Sequence, residues 1–357
     1  MENEGLELNK VNSVRIGLAW AFLVCLFWTP IVAGAQSANN TLHSLMLEGI
    51  QHTLNQSYSA ADSIFRLTAR EFPEHPAGYL YQAAVMQSRA MDYELQIEAS
   101  RFDSLLELGT EKAEGMIARE PSSPWGHFFL GTAYGYDSYA RVYRGNWFGG
   151  ALKGFSAVSE FKKTVELDST LYDAYAGIGI FYYWRSRRTE YFNWLPFLGD
   201  DRQLGYDYID RTIRFGVYNR YTALTALTGI YLDAERYEQA EEAARIGLER
   251  YPSNRIFLFA LATALDREKR YRQAADAYER LLQSIVDDGN NHYNEIVCRL
   301  NLVKMKMALS DTSGVRQHLE YILSNEQSSF PEHLQARAKD KFLQAREIAQ
   351  ALAPRRD

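Results

Sequence analysis

Between Leu227 and Pro252 the chain reads L-T-G-I-Y-L-D-A-E-R-Y-E-Q-A-E-E-A-A-R-I-G-L-E-R-Y-P, with apolar and small positions spaced for two successive amphipathic helices. Shifting that pattern by 34 residues lands on Leu265, Tyr271, Ala274 and Val286, with Tyr278 filling the slot that Ala244 leaves small. Gly49, Tyr58, Ala61, Phe65 and Pro73 fall at the same offsets near the start of the chain. A repeat of this length predicts stacked helical hairpins rather than one compact core. The recurrence has a steric cause: two antiparallel helices come close only where a side chain is small. Gly49, Gly131 and Gly179 are expected at the crossing on first helices, and Ala61, Ala157, Ala240 and Ala274 on second helices. Pro73-Glu74-His75-Pro76 and Pro121-Ser122-Ser123-Pro124 read as duplicate joints between hairpins.

The middle of the chain keeps the pattern but stretches it. Ala83, Gly131 and Gly179 are 48 residues apart, and Thr228 follows after 49. In the first of these units, Tyr79 to Leu108 lacks Pro and Gly, so its extra residues are expected to lengthen the helices. The other two insertions, 144–154 and 190–202, are rich in Gly, Asn and aromatics and read as ordered loops, with Asp200 or Asp201 capping the helix that follows. Beyond Asp287-Asp288-Gly289-Asn290-Asn291 comes a looser hairpin, and Pro331 opens a charged helix to Leu352 that reads as a terminal cap.

At the amino terminus, Lys10 and Arg15 precede an apolar run from Ile16 to Trp28, and Ala33-Gly34-Ala35 follows. This is the layout of a secretory signal peptide cut after Ala35, which predicts a periplasmic or secreted protein. The alternative is an uncleaved anchor, since Ile16 to Ala35 spans 20 residues. The domains expected are therefore a signal peptide over 1–35, the repeat array over 36–330, and the capping helix and tail over 331–357.

Composition narrows the function. With 46% hydrophobic and 24% charged residues the 357-residue chain is globular, and a net charge of -6 offers no field for nucleic acid. Of two cysteines, Cys25 lies in the leader, so Cys298 has no internal disulfide partner. Seven histidines are scattered, with no H-E-x-x-H and no Cys/His cluster, and no phosphate-binding glycine motif follows a strand. Ser159-Glu160-Phe161-Lys162 spells S-x-x-K, but Phe161 occupies the core aromatic position of the repeat. No nucleophile, base and orienting group share one constellation, so neither an enzyme nor a cofactor or metal is expected.

The units at 221–252 and 255–286 resemble the 34-residue tetratricopeptide repeat, through Tyr231, Tyr237, Ala240 and Pro252 and their counterparts. That resemblance implies an all-α fold, an α-solenoid of about seven helical hairpins with a C-terminal capping helix, binding protein segments on its concave face. Tyr172-Asp173-Ala174-Tyr175-Ala176-Gly177-Ile178-Gly179, a Leu-Pro insertion and Gly199-Asp200-Asp201-Arg202-Gln203-Leu204-Gly205 are more narrowly similar to the inclusion-body clearance and tetratricopeptide-39 group and to bacterial envelope proteins. In the family's geometry, positions 2, 5, 6, 9, 12 and 13 of each first helix face inward. Counted from Pro124 these include Trp125, Phe128, Phe129 and Tyr136, and from Tyr172 Asp173, Tyr183 and Trp184, with Tyr81 in the preceding unit. The expectation is a central aromatic groove bordered by Arg141, Arg144, Arg185, Arg187 and Arg188, holding a protein or peptide partner in an envelope scaffold. Loop aromatics Trp147, Phe148, Trp194 and Phe197 would either fold over that groove or narrow it to a pocket, which makes a small-ligand carrier accessory to a transporter the alternative.

Overall fold

The computed structural model describes residues 29–190, 199–289 and 291–352, and every regular element among them is helical. The chain divides into one unit over Met1–Leu47 and a larger one over Glu48–Asp357. Most of the expected leader lies outside the described residues, while Ala33-Gly34-Ala35 falls within the first helix. No helix among the described residues is long and apolar enough to cross a membrane.

Fifteen helices follow in order among these residues. They fall into hairpins α1 (Thr29–Leu54) with α2 (Tyr58–Glu71), α3 (Ala77–Tyr93) with α4 (Ala99–Arg119), α5 (Pro124–Tyr143) with α6 (Trp147–Leu167), and α7 (Asp173–Arg188) with α8 (Arg202–Phe215). The series continues with α9 (Arg220–Asp233) and α10 (Tyr237–Arg250), α11 (Arg255–Arg267) and α12 (Tyr271–Asp288), then α13 (His292–Ala308) and α14 (Val315–Ser324). The final helix, α15 (Glu332–Ala351), closes the array by packing Leu334, Ala338, Phe342 and Ala345 with Ile296, Leu300 and Val303 of α13. The described residues thus form an all-α solenoid of seven hairpins plus a terminal helix.

Small residues stand where the helices meet. A Cβ on Gly49 would lie 2.4 Å from the Phe65 ring. One on Gly179 would lie 2.6 Å from the Gly205 carbonyl oxygen, and one on Gly205 would lie 2.8 Å from that of Gly179, so α7 and α8 touch backbone to backbone. Ala61, Ala240 and Ala274 are fully buried at the equivalent places on second helices. Both proline joints connect hairpins, and Pro124 occupies the first turn of α5, where a missing N–H costs no hydrogen bond.

The insertions depart from the sequence reading. In the first long unit the helices do lengthen, to 17 and 21 residues, but a joint at 94–98 separates them, with Glu94 left-handed at φ +54. The stretch 144–154 is not a loop: α6 starts at Trp147, and Asn146 caps it by accepting from the Gly149 N–H at 2.9 Å. Gly145 makes the turn before it, left-handed at φ +83, whereas Gly150 and Gly154 mark close packing. A Cβ on Gly150 would meet Val142 at 2.5 Å, and one on Gly154 would meet Phe181 at 3.1 Å. In the last insertion residues 191–198, including Trp194 and Phe197, lie outside the described residues. Of the two expected caps of α8, Asp200 accepts from the Arg202 N–H at 3.0 Å, whereas Asp201 occupies the cap position but pairs its carboxylate with Arg185.

Hairpins far apart in sequence are also joined. Arg255, at the start of α11, donates from Nε to both carboxylate oxygens of Asp92 near the end of α3, at 2.8 and 3.1 Å, and both side chains are buried. Tyr58 donates to the same carboxylate at 3.0 Å, while Asn291 and Asn294 each donate to the Asp92 carbonyl at 2.7 Å. Tyr93 donates to Asp288 at 2.9 Å, Asn254 donates to the Leu54 carbonyl at 2.7 Å, and Arg337 of α15 grips Glu94 at 2.8 and 3.0 Å. Burial works against the Arg255 charge, but Asp92 more than offsets it and raises the guanidinium pKa above its ordinary value.

Two mutational outcomes follow from this packing. Ala240→Trp should overpack the α9–α10 crossing and lower stability by about 1–3 kcal/mol, whereas Glu242→Ala on the exposed side of α10 should leave the thermal midpoint unchanged; equal shifts would refute the register. Asp92→Asn strips Arg255 of its counter-charge and should cost about 3–5 kcal/mol in denaturant unfolding. A loss below about 1 kcal/mol would show that the junction is solvated.

Candidate functional site

First helices contact one another along the array, α3 with α5, α5 with α7, α7 with α9 and α9 with α11, and this layer carries the residues expected to face a groove. Most of them are core. Phe128 and Phe129 are 1% exposed and Tyr183 is fully buried. Tyr81 is buried and stacked on Phe65 at 5.1 Å, and burial, with lesser effects from Tyr136, Asp173 and Tyr218, raises its phenol pKa well above 10. Burial also pushes Tyr136 up to about 12. Trp125 is half-buried, its ring 5.5 Å from Phe128, 5.9 Å from Phe129 and 5.9 Å from Tyr218 at the α8–α9 joint. Tyr183 reaches from α7 to α9, donating to Asp233 at 2.5 Å and to the Ile230 carbonyl at 3.3 Å.

Tyr81, Phe128, Phe129 and Tyr183 are thus packed between successive hairpins, whereas Trp125 and Tyr136 are half-buried and Trp184 on α7 is 36% exposed. Trp147 and Phe148 do not cover the groove; they stand in the first turn of α6, 54% and 77% exposed. The basic border is likewise neutralised from within. Arg185 pairs with Asp201, Arg187 with Asp233 and Glu190, Arg141 with Asp137, and Arg144 with Asp103. Arg188 lies 4.6 Å over the Trp147 ring. Asp173 has a structural duty: its carboxylate accepts from the N–H groups of Val217, Tyr218 and Asn219 at 3.1, 2.9 and 2.6 Å, which fixes the entry to α9. Burial raises its pKa in spite of these bonds.

The solvent-facing part of the first-helix layer lies further along, on α9 and α11. On α9 Thr222 and Gly229 are exposed and Thr225 is half-buried, and a Cβ on Gly229 would meet nothing within 4 Å. On the neighbouring α11 Phe259 is 45% exposed, although Phe257, Leu258, Leu261 and Leu265 of that helix are buried. The 34-residue period sets Phe259 level with Thr225. Counting inward positions from Arg255, as from Pro124 and Tyr172, places Phe259 fifth and would have found it.

Reactive chemistry is muted. The Cys298 thiol is buried, donates to the Tyr278 carbonyl at 3.3 Å, and is pushed up to about 12 by burial, so it is no nucleophile at neutral pH. No cluster of three His, Cys, Asp or Glu among the described residues is placed to hold a metal ion. An open cleft of about 370 Å³ lies between the two proline joints, lined by Phe72, Glu74, His75, Met116 and Arg119. There His75 sets its ring edge-on to Phe129 at 5.0 Å and accepts from the Ala77 N–H at 3.2 Å, and burial pushes its pKa down to about 4.

No family model matches the chain, and no curated protein is significantly similar to it. Solved structures similar to it in fold are tetratricopeptide-repeat proteins. A thermophilic TPR protein of Thermus thermophilus has 18% identity and a TM-score of 0.41, covering 63% of this chain and 98% of its own. YrrB, a TPR protein with an unusual peptide-binding site, has 13% identity and a TM-score of 0.45 over 68% of this chain and 99% of its own. PilW, a type IV pilus biogenesis factor, has 14% identity and a TM-score of 0.46 over 71% of this chain and 97% of its own.

The depressed His75 pKa sets a pH dependence. The fold favours the neutral ring and the unfolded chain takes up the proton first, so this group's stabilisation is complete above pH 6.5 and is lost as pH falls toward about 4. Thermal midpoints measured between those limits should fall with pH, and His75→Gln should shrink the loss by on the order of 2–3 kcal/mol. Identical pH slopes for both proteins would remove His75 from the account.

Proposed function

We propose that this chain is a non-catalytic interaction scaffold of the cell envelope that takes an extended segment of a partner protein along the α9–α11 wall. The observation that carries the reading is Phe259, a large apolar side chain left 45% exposed on α11, which packs along α9, where Gly229 leaves the surface open. A rigid aromatic next to small, uncovered positions is what an extended peptide needs: an anchor, and room for its backbone. The half-buried Thr225 and exposed Thr222 leave the floor polar without charge, so specificity would come from the side chain seated on Phe259. Working outside the cytoplasm is supported by the basic, apolar, small-residue order of residues 10–35. A small-ligand carrier loses support, because the first of the two loops that would close its pocket is the helix α6.

A photo-crosslinking amino acid placed at Phe259 tests this, with Glu242 as an exposed control on α10. Irradiation in living cells should yield a discrete protein adduct from position 259 and none from 242. Adducts of the same pattern at both positions, or none at 259, would sink the proposal.

A further inference from the structure

Second helices face solvent in every hairpin, so their exposed stripes can be compared at one structural position. Along α4 the exposed set includes Asp103, Glu107, Glu111 and Glu114; α10 shows Glu238, Glu242 and Glu249, and α12 shows Asp276, Glu279 and Asp287. Asp207 is exposed on α8. Helix α2 exposes Ser59, Ser63, Arg66 and Arg70 before its first exposed carboxylate, Glu71, so it is polar though free of acids; α6 differs in being apolar as well. From Asn146 to Lys163 its exposed positions are apolar, hydroxyl, amide or lysine, with no carboxylate among them; the first exposed one, Glu166, comes in the last turn. The amino-terminal half shows Trp147, Phe148, Leu152 and Phe155, each more than half exposed, and on the other half follow Lys162, 5.2 Å over the Tyr182 ring, and Lys163, 3.5 Å from Glu166. In a protein carrying a net charge of -6, this segregation needs a reason.

We propose that the α6 stripe is a docking surface for an anionic lipid membrane. The chemistry is that of an interfacial helix, with aromatic and aliphatic side chains entering the headgroup layer and ammonium groups meeting phosphate. The anchors are held in place: Phe155 packs edge-on against Phe181 at 5.0 Å, and the Arg188 guanidinium holds the Trp147 ring from the other side at 4.6 Å. That guanidinium adds a further cation at the stripe's edge. Phe148, 77% exposed, leads the stripe. Large apolar groups projecting from an outward-facing helix suit a yielding planar surface, and the missing carboxylates remove the repulsion that α4 or α10 would meet there. This surface is independent of the α9–α11 wall and would leave that wall free.

Sedimentation of the full chain with vesicles of phosphatidylcholine, alone or mixed with phosphatidylglycerol, decides it. Wild type should pellet with the mixed vesicles and progressively less as salt rises. Phe148→Ser/Leu152→Ser/Phe155→Ser should weaken pelleting at least about tenfold while its circular dichroism and thermal midpoint stay those of wild type. Lys162→Glu/Lys163→Glu, which leaves the apolar half intact, should abolish the preference for the anionic mixture and carries the test if the triple variant misfolds. Three outcomes would overturn the proposal: wild type left in the supernatant with both compositions, pelleting unchanged in the triple and in the lysine variants, or sedimentation velocity showing a dimer that dissolves in the triple variant without vesicle binding. The last would assign the stripe to a second copy of the chain.

Discussion

Asp92 and Arg255 are separated by 163 residues, and both are buried. Taking two charges out of water is tolerable only when each is matched by the other and by further hydrogen bonds. Here the carboxylate is met by the guanidinium and by the Tyr58 hydroxyl, and the backbone carbonyl of the same residue is met by two asparagine amides. A row of hairpins bonded only to nearest neighbours has no long-range tie and can open anywhere along its length. This array has such a tie, and it joins the first and second hairpins to the sixth and seventh. The same junction holds two non-glycine residues in left-handed conformations, Gln56 and Glu94; Gln56 accepts from the Arg255 N–H at 3.0 Å, and Glu94 receives Arg337.

The aromatic side chains of this protein are used mainly inside it. An aromatic at an inward position of one first helix finds the next hairpin before it finds solvent, as Tyr183 finds Asp233 and Trp125 finds Tyr218. Arg185 and Arg187 around them are matched to carboxylates of the same chain, while Arg188 lies over the Trp147 ring. Among the surfaces left uncovered are the wall around Phe259 on α11 and the outer stripe of α6. They differ in chemistry, one neutral with an open floor and the other apolar and basic, and they lie on different helix layers.

Periodicity made much of the architecture legible. Small residues recurring at 34 or 48 positions located the helix crossings, because close approach of two backbones excludes a large side chain wherever it occurs. The proline joints and the terminal helix were legible for the same local reasons. Gly150 and Gly154 misled, since glycine serves equally in a turn, as Gly145 does, and in a tight helix contact, and only the position of Val142 and Phe181 distinguishes the two.

Hairpin identity and helix order were determined by the sequence alone, since each rests on neighbours within one repeat. Exposure was not. Whether Phe129 or Phe259 meets water depends on the side chains of a different hairpin, and the pairing of Asp92 with Arg255 depends on how the small angles between hairpins accumulate over the array. Those angles are sums over many contacts, so no single residue announces them, and only the tertiary structure could settle which face was left for a partner.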